Sequence, residues 1–262
     1  MSDAPPLLEA RGITKTYPGT VALDDVNFDV RAGEIHALMG ENGAGKSTLI
    51  KILTGAETRD SGAILIDGQP ADAESTQRAQ RAGIWAVHQE VMVLPNLSVA
   101  ENVMIGMHAR LHTGAVGALI RPPGTRREEA AAREHALEIL SVFGNRLLPR
   151  VDHVVSSLSY ANRRRVEIAR ALASDPKLLL LDEPTAGMNP AETLELADQI
   201  KSLNKIGLTI VLIEHKLDVV VSLADKVIVL DHGEKIAEGT PAEVRANDEV
   251  IRAYLGRSAA AA

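Results

Sequence analysis

The stretch Gly40-Glu41-Asn42-Gly43-Ala44-Gly45-Lys46-Ser47 decides the fold class of this chain. Its spacing is G-x-x-x-x-G-K-S, in which glycines allow backbone N–H groups to surround phosphate oxygens. The apolar run Ile35–Met39 predicts a buried strand before the loop, and the apolar spacing after it predicts a helix that begins at Lys46. The N-terminus of that helix adds its positive dipole end. We therefore expect Lys46 to reach the outer phosphates of a nucleotide and the Ser47 hydroxyl to bind Mg²⁺.

A second apolar run, residues 178–181, leads directly into the acidic pair Asp182-Glu183. A buried strand would deliver both carboxylates to its carboxyl end, where ligands bind in open α/β sheets. We expect Asp182 to hold Mg²⁺, directly or through water, and Glu183 to act as general base on an attacking water. The alternative is a solvated acidic turn, which the phosphate-binding loop upstream makes the weaker interpretation.

Composition limits the functional classes that the chain can belong to. Its 262 residues, of which 45 % are hydrophobic, suffice for a large core. The net charge of −7 and an aromatic content of 2 % argue against nucleic-acid binding, because both a basic surface and stacking rings are scarce. The absence of Cys excludes disulfides and Cys-based metal sites. Aliphatic runs far shorter than the roughly 20 residues of a spanning helix predict no membrane crossing, and no signal peptide is expected.

Strands and helices alternate along the chain, which favours an α/β fold whose mainly parallel sheet is covered by helices. Asp67-Gly68 follows a short predicted strand and favours a tight turn. Residues 71–150 are rich in Ala, Arg and Glu, and we interpret them as a mostly helical insertion. A loop-prone stretch with several Gly and Pro residues interrupts this insertion at positions 106–124.

Two further helices are predicted in the second half of the chain. Residues 161–173 have helical spacing, and we interpret the run Arg163-Arg164-Arg165, with Glu167 nearby, as a solvated helix face. The other helix begins at Pro190, with Asn189 as its cap.

Together these features resemble the motifs of the ATP-binding-cassette (ABC) ATPases, in the family's order and over residues 8–256. Leu158-Ser159-Tyr160-Ala161-Asn162 corresponds to the family's L-S-G-G-Q signature, Gln89 to its glutamine loop and His215 to its switch histidine. The resemblance implies an α/β P-loop NTPase fold with an ABC-type core. That core has a mainly parallel sheet, an N-terminal antiparallel β subdomain and a helical subdomain insertion.

The resemblance also implies a domain plan. We expect a single ABC ATPase domain over residues 7–256. Its RecA-like and β core would comprise residues 7–88 and 165–256, and its helical subdomain with the signature motif residues 89–164. Residues 257–262 are expected to form a flexible tail.

The implied ligands are ATP and Mg²⁺, and the implied activity is hydrolysis of ATP to ADP and phosphate. An aromatic ring at Tyr17 is expected to stack on adenine. The expected phosphate-binding residues are Gly40, Glu41, Asn42, Gly43, Ala44, Gly45, Lys46, Ser47 and Thr48. The expected catalytic residues are Glu183, His215, Gln89 and Lys46, and the expected Mg²⁺ ligands are Ser47, Gln89 and Asp182. In the family the signature serves the ATP held by another subunit, so Ser159, Ala161 and Asn162 are expected to act in trans.

Three positions depart from the family pattern. Ala161 stands where the family has glycine, Asn162 where it usually has glutamine, and Asn189 where an aspartate is common. A methyl group where backbone must approach phosphate could weaken the site. A nucleotide-binding regulator with weak hydrolysis therefore stays open as an alternative.

Four features resemble the ATPases of branched-chain amino-acid importers: the signature tyrosine, the stretch Ala186-Gly187-Met188-Asn189-Pro190, the long insertion after Met104 and the C-terminal tail from Glu238. The phosphate loop and the surroundings of Gln89 look more like monosaccharide-importer ATPases. Those usually carry two cassettes in one chain, whereas 262 residues hold one. We therefore favour the amino-acid branch, with sugar import as the runner-up. A mixed ancestry or a related polar solute also stays open.

An importer ATPase implies several partners: two transmembrane permease subunits, a second ABC ATPase subunit in a homo- or heterodimer, and indirectly a solute-binding protein. It implies a peripheral location on the cytoplasmic face of the inner (plasma) membrane. A soluble ABC protein that acts on DNA or the ribosome is less favoured. Such proteins typically carry coiled-coil insertions or paired cassettes, and the net charge here is −7.

Overall fold

The computed structural model describes residues 5–71, 75–107 and 123–255. The described residues fall into two compact units. The first, here called the β unit, comprises the described residues within the ranges 1–86, 177–184 and 200–262. The second, here called the helical unit, comprises the described residues within the ranges 87–176 and 185–199. Among the described residues, no helix is both long and apolar enough to span a membrane.

The strands alternate with helices in the predicted manner. They are β1 (Leu8–Tyr17), β2 (Thr20–Val30), β3 (Ile35–Met39), β4 (Ser61–Ile66), β5 (Gln69–Pro70), β6 (Ile84–Val87), β7 (Leu178–Asp182), β8 (Thr209–Ile213), β9 (Lys226–Asp231) and β10 (Glu234–Gly239). The helices are α1 (Lys46–Leu53), α2 (Thr76–Arg81), α3 (Val99–Gly106), α4 (Pro123–Ser141), α5 (Gly144–Leu147), α6 (Tyr160–Leu172), α7 (Pro190–Lys205), α8 (Leu217–Leu223), α9 (Pro241–Arg245) and α10 (Asp248–Leu255).

A six-stranded sheet has the order β10-β9-β3-β8-β7-β6. Strand β3 pairs in parallel with both β8 and β9, and β7 pairs in parallel with β8, whereas β10 runs antiparallel to β9. Every residue of β3 and β8 is buried. A strand that is covered on both faces reads as a continuous apolar run, which is why the sequence predicts these strands well. The mainly parallel α/β sheet is confirmed.

A second sheet forms the N-terminal part of the β unit, with the order β2-β1-β4-β5 and antiparallel pairing throughout. Asp67 and Gly68 link β4 to β5, and both have positive φ, 51° and 72°. Two successive residues in the left-handed region are typical of the tight hairpin turn that Asp-Gly favours. The expected antiparallel β subdomain and its turn are therefore confirmed.

The insertion is less uniform than predicted. Strand β6 lies at the edge of the six-stranded sheet, within the stretch interpreted as mostly helical. Gly106, expected to open a loop, is the last residue of α3. Most of that expected loop, residues 108–122, and the expected tail, residues 257–262, lie outside the described residues. Helix α3 starts with a capping box, in which Ser98 Oγ accepts from Glu101 N at 3.2 Å and Glu101 Oε2 accepts from Ser98 N at 2.8 Å.

The interpretation of Arg163-Arg164-Arg165 as a solvated helix face is wrong. Arg164 and Arg165 are 0 % and 1 % exposed, and Glu167 is 3 % exposed. Buried charges are tolerated when carbonyl or carboxylate groups satisfy them, and such partners surround this part of α6. The sequence pattern alone predicts that a run of charges on a helix faces solvent, because it does not reveal pairing groups that lie far away along the chain.

Gly106 allows a close approach between α3 and α6 in the helical unit. A Cβ at Gly106 would lie 2.0 Å from the carbonyl oxygen of Arg170 and 3.0 Å from Ala173 Cβ. The Gly106 carbonyl in turn accepts from Ser174 Oγ at 2.8 Å. The two segments can stay this close only if position 106 carries no side chain.

We predict that Gly106→Ala lowers the free energy of unfolding by about 3 kcal/mol, because the methyl group forces the helices apart. Helix propensity acts in the opposite direction, since Ala is favoured over Gly by about 1 kcal/mol. Chemical denaturation followed by circular dichroism measures the difference. Gly144→Ala is the control, because a methyl group there would meet nothing within 4 Å and only the positive φ of 45° costs stability. Equal or greater stability of Gly106→Ala would contradict the prediction.

Candidate functional site

The glycine-rich loop runs from the end of β3 to the start of α1, as expected. Lys46 is 7 % exposed, and its Nζ donates to the carbonyl oxygens of Gly40 at 2.7 Å and Glu41 at 2.8 Å. A Cβ at Gly40 would lie 2.4 Å from the carbonyl oxygen of Leu230, and one at Gly45 would lie 2.5 Å from that of Ala22. Neither position can carry a side chain without moving backbone, so the glycines are required by packing as well as by the loop's conformation.

The acidic pair lies near the Lys46 ammonium. Burial lowers the pKa of Lys46, and the negative charges of Glu183, Asp182 and Glu41 oppose that effect. The carboxyl end of β7 therefore faces the phosphate-binding loop with two carboxylates and one cation. This arrangement places opposite charges where a nucleotide phosphate and a divalent cation would both be stabilised.

Glu183 and His215 are brought together by neighbouring strand ends. Asp182 of β7 is in register with Ile213 of β8, and Glu183 N donates to the Ile213 carbonyl at 3.0 Å. Just beyond the two strand ends, His215 Nε2 and Glu183 Oε1 are 2.6 Å apart. Glu183 has a φ of 46°, the left-handed region that few non-glycine residues adopt. The sequence predicted each residue separately, and the register of the sheet supplies their contact.

Glu214 is a residue whose part in the site the sequence analysis missed. It is 3 % exposed, and its Oε2 accepts from the backbone N–H groups of His215 at 2.9 Å and Lys216 at 3.2 Å. These bonds shape the turn that carries the His215 side chain. The sequence shows a carboxylate directly before the histidine, but no local pattern indicates that the Glu214 side chain is buried.

The residues expected to hold Mg²⁺ in the β unit offer suitable atoms. Ser47 lies in the first turn of α1 and Asp182 at the end of β7. A hydroxyl and a carboxylate are oxygen donors, and Mg²⁺ typically combines one or two carboxylates with substrate phosphates and water. No cluster of three or more His, Cys, Asp or Glu residues suited to a metal occurs within the described ranges. The donor set thus fits a cation that is shared with a nucleotide rather than a site built from protein ligands alone.

Tyr17 ends β1 and is 39 % exposed. Lys15 Nζ lies 5.4 Å from the centroid of its ring, within the range of a cation–π interaction. Burial disfavours the charged form of Lys15, but hydrogen bonds with Glu57 and Asp60 raise its pKa. The ammonium is therefore held in place beside a ring that remains accessible to a flat ligand.

In the helical unit, Ser159 caps α6 by accepting from Asn162 N at 3.4 Å. Ala161 is 3 % exposed, and Asn162 is 9 % exposed with its Oδ1 accepting from Arg165 Nη1 at 3.5 Å. The Asn162 amide is thus engaged within its own chain. The N–H groups of the first turn and the Ser159 hydroxyl are the features of this helix start that suit an anion.

A groove of about 760 Å³ opens beside this helix start within the helical unit. Gln89, Tyr160 and Gly187 line it together with Glu90, Val91, Val93, Pro95, Val155, Ser156, Arg163 and Ala186. A Cβ at Gly187 would lie 3.6 Å from Tyr160 Cε1, so the ring packs over this glycine, whose φ is 70°. Gln89, Tyr160 of the signature and Gly187 of the loop after β7 thus lie along one groove.

Asn189 caps α7, as predicted. Its Oδ1 accepts from Glu192 N at 2.9 Å, and its own N–H donates to Glu192 Oε2 at 3.2 Å. Asparagine and aspartate are about equally good N-caps. The departure from the aspartate that is common in the family therefore preserves the local structure.

Two family models match the chain. The model described as "ABC transporter" matches residues 23–186, and the one described as "Branched-chain amino acid ATP-binding cassette transporter" matches residues 234–260. The second match covers β10, α9 and α10.

Curated relatives divide between two kinds of importer. "Putative ribose/galactose/methyl galactoside import ATP-binding protein 1" of Burkholderia lata is 43 % identical over 98 % of this chain and 48 % of its own length. "High-affinity branched-chain amino acid transport ATP-binding protein LivG" of Escherichia coli is 38 % identical over 97 % of this chain and 99 % of its own. The chain thus spans about half the length of the sugar-import relative and nearly all of LivG.

Solved structures of ATP-binding cassettes have the same fold as this chain. The ADP conformation of MJ1267, an ATP-binding cassette of an ABC transporter, superposes with a TM-score of 0.83 at 30 % identity, covering 96 % of this chain and 99 % of that one. The dimeric post-hydrolysis structure of the cassette MJ0796, bound to ADP and Pi, has a TM-score of 0.71 at 26 % identity and covers 89 % and 98 % of the two chains.

We predict that Asn189→Ala lowers the free energy of unfolding by about 1 kcal/mol, because the first turn of α7 loses its side-chain acceptor. Asn189→Asp is the matched variant, since it keeps an acceptor oxygen, and its stability should stay within about 0.5 kcal/mol of the wild type. Urea denaturation measures both. Equal losses in the two variants would refute the capping role.

Proposed function

Because this chain belongs to the ABC transporter ATPase family, we propose that it binds ATP with Mg²⁺ and hydrolyses ATP to ADP and phosphate as the energy-coupling subunit of an importer. The proposal of hydrolysis rests on the 2.6 Å contact between His215 Nε2 and Glu183 Oε1. This contact lies beside Lys46 of the phosphate-binding loop. A carboxylate held by an imidazole next to a phosphate-binding loop is suited to hydrolysis of a phosphoanhydride, because it can orient an attacking water and accept its proton.

The nucleotide would be bound by residues 40–48 through backbone N–H groups and the Lys46 ammonium, with Tyr17 against the adenine. On binding, Lys46 exchanges its bonds to the Gly40 and Glu41 carbonyls for phosphate oxygens. Ser47, Asp182 and Gln89 are the proposed Mg²⁺ ligands. When bound, the cation neutralises charge that develops on the phosphate oxygens.

In the proposed reaction, Glu183 orients a water molecule and takes up its proton as the water oxygen attacks the γ-phosphorus. The bond between that phosphorus and the β-phosphate oxygen breaks, and ADP is the leaving group. His215 fixes the Glu183 carboxylate and contacts the γ-phosphate. Positioning and charge stabilisation supply the rate enhancement, since no covalent intermediate on the protein is needed.

We further propose that two such ATPase subunits, identical or different, act together with two transmembrane permease subunits. Ser159, Ala161 and Asn162 would face the ATP held by the other ATPase subunit. The dimeric structure of the similar cassette MJ0796 supports this arrangement. The location that follows is peripheral, on the cytoplasmic face of the membrane, and a solute-binding protein would be an indirect partner.

For the solute, the match of residues 234–260 to a branched-chain amino-acid transporter family supports branched-chain amino acids. Sugar import is the second candidate, and the 43 % identity to a ribose/galactose import protein favours it. The two candidates share the same ATPase chemistry and differ in the permeases with which the chain assembles.

We predict that Glu183→Gln lowers kcat by about 100-fold or more while the affinity for ATP stays unchanged, because the proton acceptor is lost and the phosphate loop is intact. Phosphate release and binding of a fluorescent ATP analogue measure the two effects. Glu234→Gln, an exposed carboxylate in β10, is the control with wild-type turnover. Equal hydrolysis by Glu183→Gln and the wild type would remove the role assigned to Glu183.

Uptake in the organism that encodes the chain tests the solute. Deleting the gene should abolish high-affinity uptake of labelled leucine, isoleucine and valine, and the wild-type gene but not Glu183→Gln should restore it. Loss of ribose or galactose uptake with unchanged leucine uptake would select the sugar alternative instead.

A further inference from the structure

Arg164 and Glu167 form an ion pair inside the helical unit, on α6. Their side chains are 0 % and 4 % exposed, and Arg164 Nη1 donates to Glu167 Oε2 at 2.9 Å. The two residues are one helical turn apart, which places their side chains on the same face. Such a pair is costly to bury, and apolar residues of similar size would stabilise a core at least as well. The pair therefore calls for an explanation other than stability.

Both members of the pair bond the backbone of residues 88–92, here called the Gln89 segment. Arg164 Nη1 donates to the carbonyl oxygen of His88, immediately before Gln89. Glu167 Oε1 accepts from the backbone N–H of Met92 at 2.9 Å. The Gln89 segment contains no helix or strand, and its first three residues are exposed. The buried pair thus attaches both ends of an otherwise irregular segment to α6.

The neighbouring arginines have different partners. Arg163 donates to the carbonyl oxygens of Ser156 at 2.8 Å and Leu158 at 3.0 Å, which lie in the turn before α6. Arg165 Nε donates to Gln199 Oε1 at 3.0 Å and Arg165 Nη2 to Glu195 Oε2 at 3.3 Å, both on α7. Arg165 is as deeply buried as Arg164 and one residue away, yet its hydrogen bonds lead to α7 and to Asn162 Oδ1 rather than to the Gln89 segment. It is therefore a matched control.

We propose that Arg164 and Glu167 are positioning residues that fix Gln89 relative to the start of α6, where Ser159 lies. Two backbone bonds, one on each side of Gln89, limit the positions that its side chain can reach. The Gln89 segment and the first turn of α6 then shift together when nucleotide binds. A change sensed at Gln89 is thereby passed to the helix start that faces the partner's ATP. This inference rests on the role proposed above for Gln89.

The kinetic test is a double-mutant cycle with Gln89 in the full chain. We expect Arg164→Lys and Glu167→Gln each to lower kcat by about tenfold, with the KM for ATP changed by less than about twofold. Arg164→Lys keeps the charge but not the forked geometry, and Glu167→Gln keeps an acceptor but not the ion pair. In the Gln89→Ala background the same two substitutions should change kcat by less than about twofold, because the residue they position is gone.

Arg165→Lys should lower kcat by the same factor in both backgrounds, since its hydrogen bonds lead to α7 and Asn162 rather than to the Gln89 segment. Melting temperatures of all variants show whether the losses follow stability instead. A kcat loss from Arg164→Lys or Glu167→Gln that is as large without Gln89 as with it would overturn the positioning role and leave a structural one.

Hydrogen exchange supplies a readout that does not depend on turnover. Amides of residues 88–92 should exchange faster in Arg164→Lys and Glu167→Gln than in the wild type or Arg165→Lys. Unchanged exchange in that segment would overturn the attachment to α6. If Gln89→Ala alone keeps wild-type turnover, the proposed role of Gln89 fails and the positioning role fails with it. If Gln89→Ala is inactive, hydrogen exchange decides the proposal.

Discussion

The phosphate-binding loop is held between backbone groups of both sheets, and the arrangement of the β unit follows from this contact. Gly40 lies against the carbonyl of Leu230 at the end of β9, and Gly45 against that of Ala22 in β2. Because backbone approaches backbone directly, a side chain at either glycine would push the loop away from the strand that it contacts. The same contact directs α1 and the Lys46 side chain toward the strand ends that carry Asp182, Glu183 and His215. One steric constraint thus sets both the packing of the core and the position of the charges.

The helical unit depends on polar groups to a degree that is unusual for a core. Arg164 and Arg165 are among its most deeply buried side chains, and each joins α6 to another segment. Few large aromatic residues are available, since aromatic content is 2 %. Long arginine side chains combine apolar stems with donors at the tip, and they can span gaps that rings would otherwise fill. Directional bonds also specify how segments are placed, which aliphatic packing alone does less sharply.

Local patterns in the sequence predicted the parallel strands, the Asp67-Gly68 turn and the Asn189 cap, because each is governed by neighbours a few residues apart. The buried arginines were missed since their partners are supplied by segments such as residues 88–92, far away in sequence. Strand β6 was missed because four residues give little periodicity inside a helix-rich stretch. The Ser98 capping signal was present and could have located α3. The contact of Glu183 with His215 needed the register of β7 with β8, which no local pattern contains.

The left-handed backbone at Glu183 has an evolutionary consequence. A residue at this position must tolerate a φ of 46°, which costs about 1–2 kcal/mol for most side chains and more for β-branched ones. Glycine, asparagine and aspartate relieve the strain but lack a carboxylate of the same reach. Few substitutions at position 183 are therefore selectively neutral. Related sequences that have lost this glutamate are therefore expected to carry glycine, asparagine or aspartate in its place.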